Sequence, residues 1–290
     1  MLTIYFMKQR TISIVLLLGA LTLLLAACDS GNSSPAEKAV APTSSTVNAA
    51  NAIMKHSPSG TVEMTWDRAS HLLTVRLALT GLYPKSVHPA FISSGSCRDA
   101  GKTVYPLSNV VADTIGFANT ITKIKNVAKG IPESGWYVDV RSGPGMEKAA
   151  EAVPVSCADI SNSTASTGST ATLNQASAPN QAASGLAELT VTDNRLAVTI
   201  TMKGMAPNSK HAAHIHLGSC VSQGKIVYSL NPVTVNASGD GKSTTTIENV
   251  SAVPRSGWYI NVHEGSRVDS STVAQTDMDP IACGDFTPRI

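Results

Sequence analysis

The chain has 290 residues, which is long enough for two domains of ordinary size. Its 22 lysines and arginines nearly balance its 20 acidic residues, so the formal net charge is only +2. The basic residues form no stripe along the sequence. The charge pattern therefore gives no electrostatic support for nucleic acid as a partner.

The first 28 residues have the pattern of an export signal. Lys8 and Arg10 precede an apolar stretch over 12–25 that is too short for a stable membrane span. Leu25-Ala-Ala-Cys28 then resembles a bacterial lipobox, which implies that Cys28 is diacylated and becomes the mature N-terminus. The alternative is a plain signal peptide that happens to be followed by a cysteine. We expect an extracytoplasmic protein, lipid-anchored to the bacterial cell membrane through Cys28.

Two stretches of the chain lack apolar periodicity. Residues 29–51 are rich in Ser, Ala, Pro, Thr and Asn, which predicts a disordered tether. Residues 161–183 are rich in Ser, Thr and Ala with almost no charge, which predicts a linker. Two folded domains are expected to remain, at 52–160 and 184–290.

These two segments repeat one pattern at a nearly constant offset. The run from His88 to Cys97 matches the run from His211 to Cys220, 123 positions later. Pro132-Glu-Ser-Gly-Trp-Tyr-Val-Asp-Val-Arg141 matches Pro254-Arg-Ser-Gly-Trp-Tyr-Ile-Asn-Val-His263, 122 positions later. So many ordered matches indicate a duplicated domain.

Each copy has the pattern of an all-β domain. The runs 72–79 and 196–202 alternate or are β-branched, as strands are, and turn signals follow at short intervals. No long helical stripe is present. The prediction is two tandem Greek-key β-sandwich or flattened-barrel domains joined by a flexible linker.

The cysteines suit an exported protein. With Cys28 assigned to lipid, Cys97, Cys157, Cys220 and Cys283 allow three disulfide connectivities. The repeat selects Cys97–Cys157 and Cys220–Cys283, one within each copy. Free buried thiols are the weaker alternative in an oxidising compartment.

Histidine distinguishes the copies. His214 and His216 lie at positions i and i+2 of a predicted strand, so their side chains share one face and can converge on one ion. His263, in another predicted strand, would complete a site of three imidazoles, a donor set that suits copper, zinc, nickel or iron. Alternatively, the pair is simply two surface histidines and His263 is unrelated.

The surrounding residues resemble bacterial copper–zinc superoxide dismutases. That family has an H-x-x-H-x-H strand followed by Gly-Ser-Cys, a V-H-E segment and an Ala-Cys-Gly ending, and this chain has all three in the same order over most of 184–290. CHRD domains, which are related, share an A-H-I-H-x-G strand and an N-V-H strand but generally lack the cysteine pair.

Carried over residue by residue, the resemblance implies roles for six residues of the second copy. They are the copper ligands His214, His216 and His263, the structural histidine His211, and the disulfide cysteines Cys220 and Cys283.

At the three ligand positions the first copy has Phe91, Ser93 and Arg141, and it keeps only the structural His88. The domain at 52–160 is therefore expected to be a degenerate one without a metal site.

Two features of that family are missing. No histidine lies between Cys220 and His263, so the bridging ligand and the zinc loop are absent, and Asp240 alone cannot hold zinc. Pro280 stands where the family has the arginine that orients superoxide, with Arg255 and Arg267 as substitutes only if the fold brings them near. We expect one copper ion per chain and no zinc at the usual second site.

Three functions are consistent with these observations. The first is an exported copper-binding protein of the superoxide dismutase-like superfamily that reacts with superoxide through a zinc-less site. The second is non-enzymatic sequestration or delivery of metal, and the third is a structural cell-surface module. The intact ligand set argues against the third, and the missing zinc loop and arginine argue against a full enzyme.

Overall fold

The computed structural model describes residues 46–162, 167–173, 180, 182–267 and 273–289. The predicted signal peptide, Cys28 and most of the predicted tether lie outside these residues. Residues 44–290 form one compact unit. Within the described ranges, no helix has the length and apolar character needed to cross a membrane.

The regular secondary structure of the described chain is almost entirely strand, which confirms the predicted all-β class. Residues 46–162, the first half, contain β1 (Thr46–Val47), β2 (Ala49–His56), β3 (Ser59–Asp67), β4 (Leu72–Thr80), β5 (Val87–His88), β6 (Ala90–Gly95), β7 (Ala100–Pro106), β8 (Val110–Val111), β9 (Ala118–Ile124), β10 (Trp136–Arg141) and β11 (Pro154–Ile160).

Strand β12 (Gly168–Leu173) follows. Residues 182–289, the second half, contain β13 (Ser184–Thr192), β14 (Arg195–Lys203), β15 (Lys210–His211), β16 (Ala213–Ser219), β17 (Ser222–Ser229), β18 (Val233–Val235), β19 (Gly241–Glu248), β20 (Val253–Pro254), β21 (Trp258–His263), the short helix α1 (Gln275–Met278) and β22 (Pro280–Pro288).

The first half forms a sandwich of two four-stranded sheets. The order is β12-β3-β4-β9 in one sheet and β11-β10-β6-β7 in the other. Alternate residues of both sheets, such as Leu77 in β4 and Val138 in β10, are buried in one core. Because strand side chains alternate between faces, these residues fill the space between the sheets.

The second half forms a single ten-stranded sheet around its own core. Its order is β15-β18-β19-β14-β13-β2-β22-β21-β16-β17. Strand β2 pairs with β13 on one side and with β22 on the other, so it joins a five-stranded group and a four-stranded group that would otherwise be separate. Its alternating residues Ala50, Ala52 and Met54 are buried in the core of the second half.

The halves thus exchange strands. Strand β2 lies at the start of the first half but completes the sheet of the second half, whereas β12 precedes the second copy but pairs with β3 of the first half. Leu173 at the end of β12 is buried in the first core, and its carbonyl accepts a 3.0 Å hydrogen bond from the Ser156 hydroxyl of β11. Each core is therefore closed by a strand from outside its own repeat.

These strands lie wholly or partly in segments that composition assigned to the tether and linker. Strand β2 begins at Ala49, inside the predicted tether, and β12 occupies part of the predicted linker at 161–183. The difference has a simple physical reason: ladder hydrogen bonds join backbone groups, so a Ser/Thr/Ala-rich segment can pair wherever an open strand edge is available.

Both predicted disulfides are confirmed. Cys97–Cys157 joins the β6–β7 turn to β11, and Cys220–Cys283 joins the β16–β17 turn to β22. In the chain-entropy model a closed loop of this size adds about 3–4 kcal/mol to the free energy of unfolding.

Candidate metal centre

Three histidines converge on one face of the second half. In the antiparallel pair β16–β21, His214 lies opposite Asn261 and His216 lies opposite Tyr259. The intervening residues Ala213, Ile215, Ile260 and Val262 point into the core. His263 is the last residue of β21, and its ring lies beside those of His214 and His216. One ring nitrogen from each of the three histidines lies within 4.8 Å of the others. This cluster can hold a metal ion.

Backbone carbonyls set the orientation of two of the rings. The Nδ1–H of His216 donates to the Gly224 carbonyl at 3.0 Å, and the Nδ1–H of His263 donates to the Met278 carbonyl at 2.8 Å. A neutral ring that donates from Nδ1 carries its lone pair on Nε2. Both Nε2 atoms are buried and have no hydrogen-bond partner in the described part of the chain. Such an arrangement is typical of metal-binding histidines, whose second nitrogen is held by an outer partner.

Burial keeps these rings neutral. It lowers the pKa of His263 to about 3, with a smaller contribution in the same direction from His214 and His216, while the Met278 carbonyl acts in the opposite direction. Burial also lowers the pKa of His216. Only neutral imidazole donates to a metal, so near neutral pH these two rings need lose no proton before they bind.

His211 is hydrogen-bonded at both ring nitrogens. Its Nδ1–H donates to the carbonyls of His263 and Glu264, both at 2.9 Å, and its Nε2 lies 2.7 Å from the Ser209 hydroxyl. Both nitrogens are engaged within the protein, so His211 holds the backbone at His263 and has no lone pair left for a metal.

His88 makes the matching contacts in the first half. Its Nδ1–H donates to the Arg141 carbonyl at 2.8 Å, and its Nε2 lies 2.6 Å from the Ser86 hydroxyl. His88 is fully buried, and burial lowers its pKa to about 4.

The corresponding face of the first half holds an ion pair. Arg141, at the position of His263, pairs with the buried carboxylate of Asp139, at the position of Asn261. The Ser93 hydroxyl donates to Asp139 at 3.2 Å. Burial raises the pKa of Asp139, although the Arg141 guanidinium acts in the opposite direction. With Phe91 at the third position, this face lacks the donors that a metal needs.

The cluster is bordered by two cavities. His214 lines an open groove of about 660 Å³ together with the exposed cations Lys210 and Arg267. His216 and His263 line a separate cleft of about 280 Å³. Of the two arginines considered as substitutes for the missing one, the groove contains Arg267 and not Arg255. Pro280 begins β22 and lines neither cavity.

Sequence reasoning missed two amides beside the histidines. Asn261 is completely buried, and neither atom of its amide has a partner among the described residues. Gln223 lines the cleft with His216, and its Nε2 likewise has no partner there. The spacing of Asn261 and His263 on one strand could have revealed the first. No local signal identifies Gln223.

One comparison with known proteins bears on this site. A family model for the CHRD domain matches residues 167–268, roughly a third of the chain, and the match contains His214, His216 and His263. It also contains β12, the strand that pairs with the first half. No curated protein matches the chain significantly.

Proposed function

We propose that this chain is an exported, lipid-anchored copper-binding protein of the superoxide dismutase-like superfamily, and that His214, His216 and His263 hold one copper ion. One observation carries the proposal: three buried imidazoles converge, and backbone carbonyls orient two of them. The Nε2 atoms of these two rings have no hydrogen-bond partner among the described residues.

The donor set favours copper. Three neutral nitrogen ligands suit copper or zinc, and copper binds most tightly among the divalent first-row metals. When bound, copper supplies one-electron redox chemistry. Among the described residues these histidines form the single group of three or more side chains that could hold a metal ion.

Reaction with superoxide is the enzymatic candidate. Lys210 and Arg267 add positive charge to the groove beside His214, and cationic grooves attract small anions. Metal sequestration or delivery is the non-enzymatic alternative, and it requires the same three histidines.

Copper titration of the compact unit 44–290 tests the proposal. We expect calorimetry to give one tightly bound copper per chain and to show copper displacing zinc. The loaded protein is then assayed for superoxide consumption, with the metal-free protein as control. Tight binding without consumption would favour sequestration or delivery, and the absence of copper binding would overturn the proposal.

The lipid anchor is tested separately with Cys28→Ser in the full chain. We expect the variant to stay uncleaved or to appear in the medium, because a serine cannot be acylated as the cysteine is. Fractionation and mass spectrometry of the N-terminus measure this outcome. A variant that is still processed and membrane-bound would show that Cys28 carries no anchor.

A further inference from the structure

The cleft beside His216 and His263 is built by both halves. One wall comes from Gln223–Ile226 of β17 and from Met278 at the end of α1, and the facing wall is Tyr83 and Pro84 of the first half. The first half, which lacks the metal ligands, therefore forms part of the surroundings of the histidine cluster.

The polar groups of this cleft suit a carboxylate. Gln223 is 6% exposed, and its Nε2 is a buried donor without a partner in the described ranges. A buried donor without a partner destabilises the folded protein. A ligand that accepts its hydrogen bond removes this free-energy cost. Lys225 is exposed and also lines the cleft, which contains no acidic side chain.

The remaining walls are apolar. Tyr83, Pro84, Ile226 and Met278 surround the cleft, and its volume of about 280 Å³ exceeds what a diatomic or triatomic anion fills. Apolar walls with a few placed polar groups are the usual form of a site for a small organic ligand.

Hydrogen bonds between the halves hold the two walls in place. The Gln275 amide group donates to the carbonyls of Val87 at 2.9 Å and Ser142 at 2.8 Å, and accepts from the Val87 N–H at 3.1 Å. The Ser142 hydroxyl donates to the buried carboxyl of Asp279. These bonds secure the segment that carries Met278 to the first half.

The β17 part of the same wall is also bonded to the first half. The backbone N–H of Gln223 donates to the carbonyl of Ile115, a first-half residue, at 3.0 Å. The cleft is therefore formed before any ligand arrives, which lowers the entropic cost of binding.

We propose that this cleft binds a small monocarboxylate with an apolar body, about the size of benzoate, and that the first half of the chain serves to complete this site. The Gln223 amide and the Lys225 ammonium bind the carboxylate, and the Tyr83 ring packs on the apolar body. This site goes beyond the proposed copper function, because its recognition groups belong to the protein and need no metal.

Benzoate binding to the metal-free unit 44–290 is the test, measured by calorimetry. Gln223→Leu keeps the side-chain size but removes the donor, and we expect it to weaken benzoate binding by roughly 10-fold or more, as for the loss of a hydrogen bond to a charged group. Lys225→Met should weaken binding of both benzoate and acetate, whereas Tyr83→Ala should weaken binding of benzoate and leave acetate unchanged.

Matched controls come from the repeat. Lys102→Met removes the lysine that stands 123 positions before Lys225, at the offset of the repeat. Tyr105→Ala removes a first-half tyrosine that packs on Trp136 outside the cleft. Both should bind benzoate like the unaltered protein. Failure to bind benzoate, or binding unchanged in Gln223→Leu, would overturn the inference.

Copper titration of the same variants separates this inference from the proposed function. All five should still bind one copper ion, because none alters a histidine of the cluster. Copper binding without benzoate binding would reject only the cleft, and benzoate binding without copper binding would reject only the metal assignment.

Discussion

Replacing His263 with alanine is expected to reduce copper affinity by more than the roughly 10–100-fold that the loss of an outer partner of a metal ligand costs. His263 contributes one of three converging nitrogens, and its Nε2 has no hydrogen-bond partner in the described part of the chain. His214→Ala and His216→Ala should have effects of similar size. Calorimetric titration of the unit 44–290 measures all three.

The two structural histidines supply a matched control. His211→Ala removes bonds to the carbonyls of His263 and Glu264, so it should lower both the melting temperature and the copper affinity. His88→Ala removes the corresponding bond to Arg141 in the first half, so it should lower the melting temperature alone. Undiminished copper binding by His263→Ala would show that the metal lies elsewhere.

The fragment 184–290 is expected not to fold alone, although it contains the whole second repeat. It lacks β2, whose two hydrogen-bonded edges face β13 and β22 and whose residues Ala50, Ala52 and Met54 are buried. Without β2 the fragment has two open strand edges and an exposed core, a loss comparable to the typical stability of a domain, about 5–15 kcal/mol. Circular dichroism should show no cooperative thermal transition.

Adding the missing strand as a peptide should restore folding. A peptide of residues 44–57 is expected to bind fragment 184–290 by strand addition and to restore a cooperative transition. The same peptide with Met54→Asp should fail, because it would bury a charge in the core. In the first half, fragment 57–173 contains β12 and should be more stable than 52–160. Cooperative unfolding of 184–290 without the peptide would contradict the strand exchange.

Several features of this protein follow from short-range sequence patterns. The i, i+2 spacing of His214 and His216 fixes their shared face, because side chains alternate along any strand. The two disulfides follow from the repeat, and the all-β class follows from alternation and turn residues. Each of these conclusions depends on geometry that is the same in every strand or turn.

Tertiary structure alone decided which strands pair. The alternation of Ala50, Ala52 and Met54 identifies a buried face but not the core that buries it. Ladder hydrogen bonds join backbone groups that are nearly identical along the chain, so partner choice depends on which edge is open in the folded molecule. The same holds for the cleft, where Tyr83 and Gln223 meet only because the halves pack together. The sequence by itself therefore identified the three histidines of the cluster, and the packing of the two halves determined their surroundings.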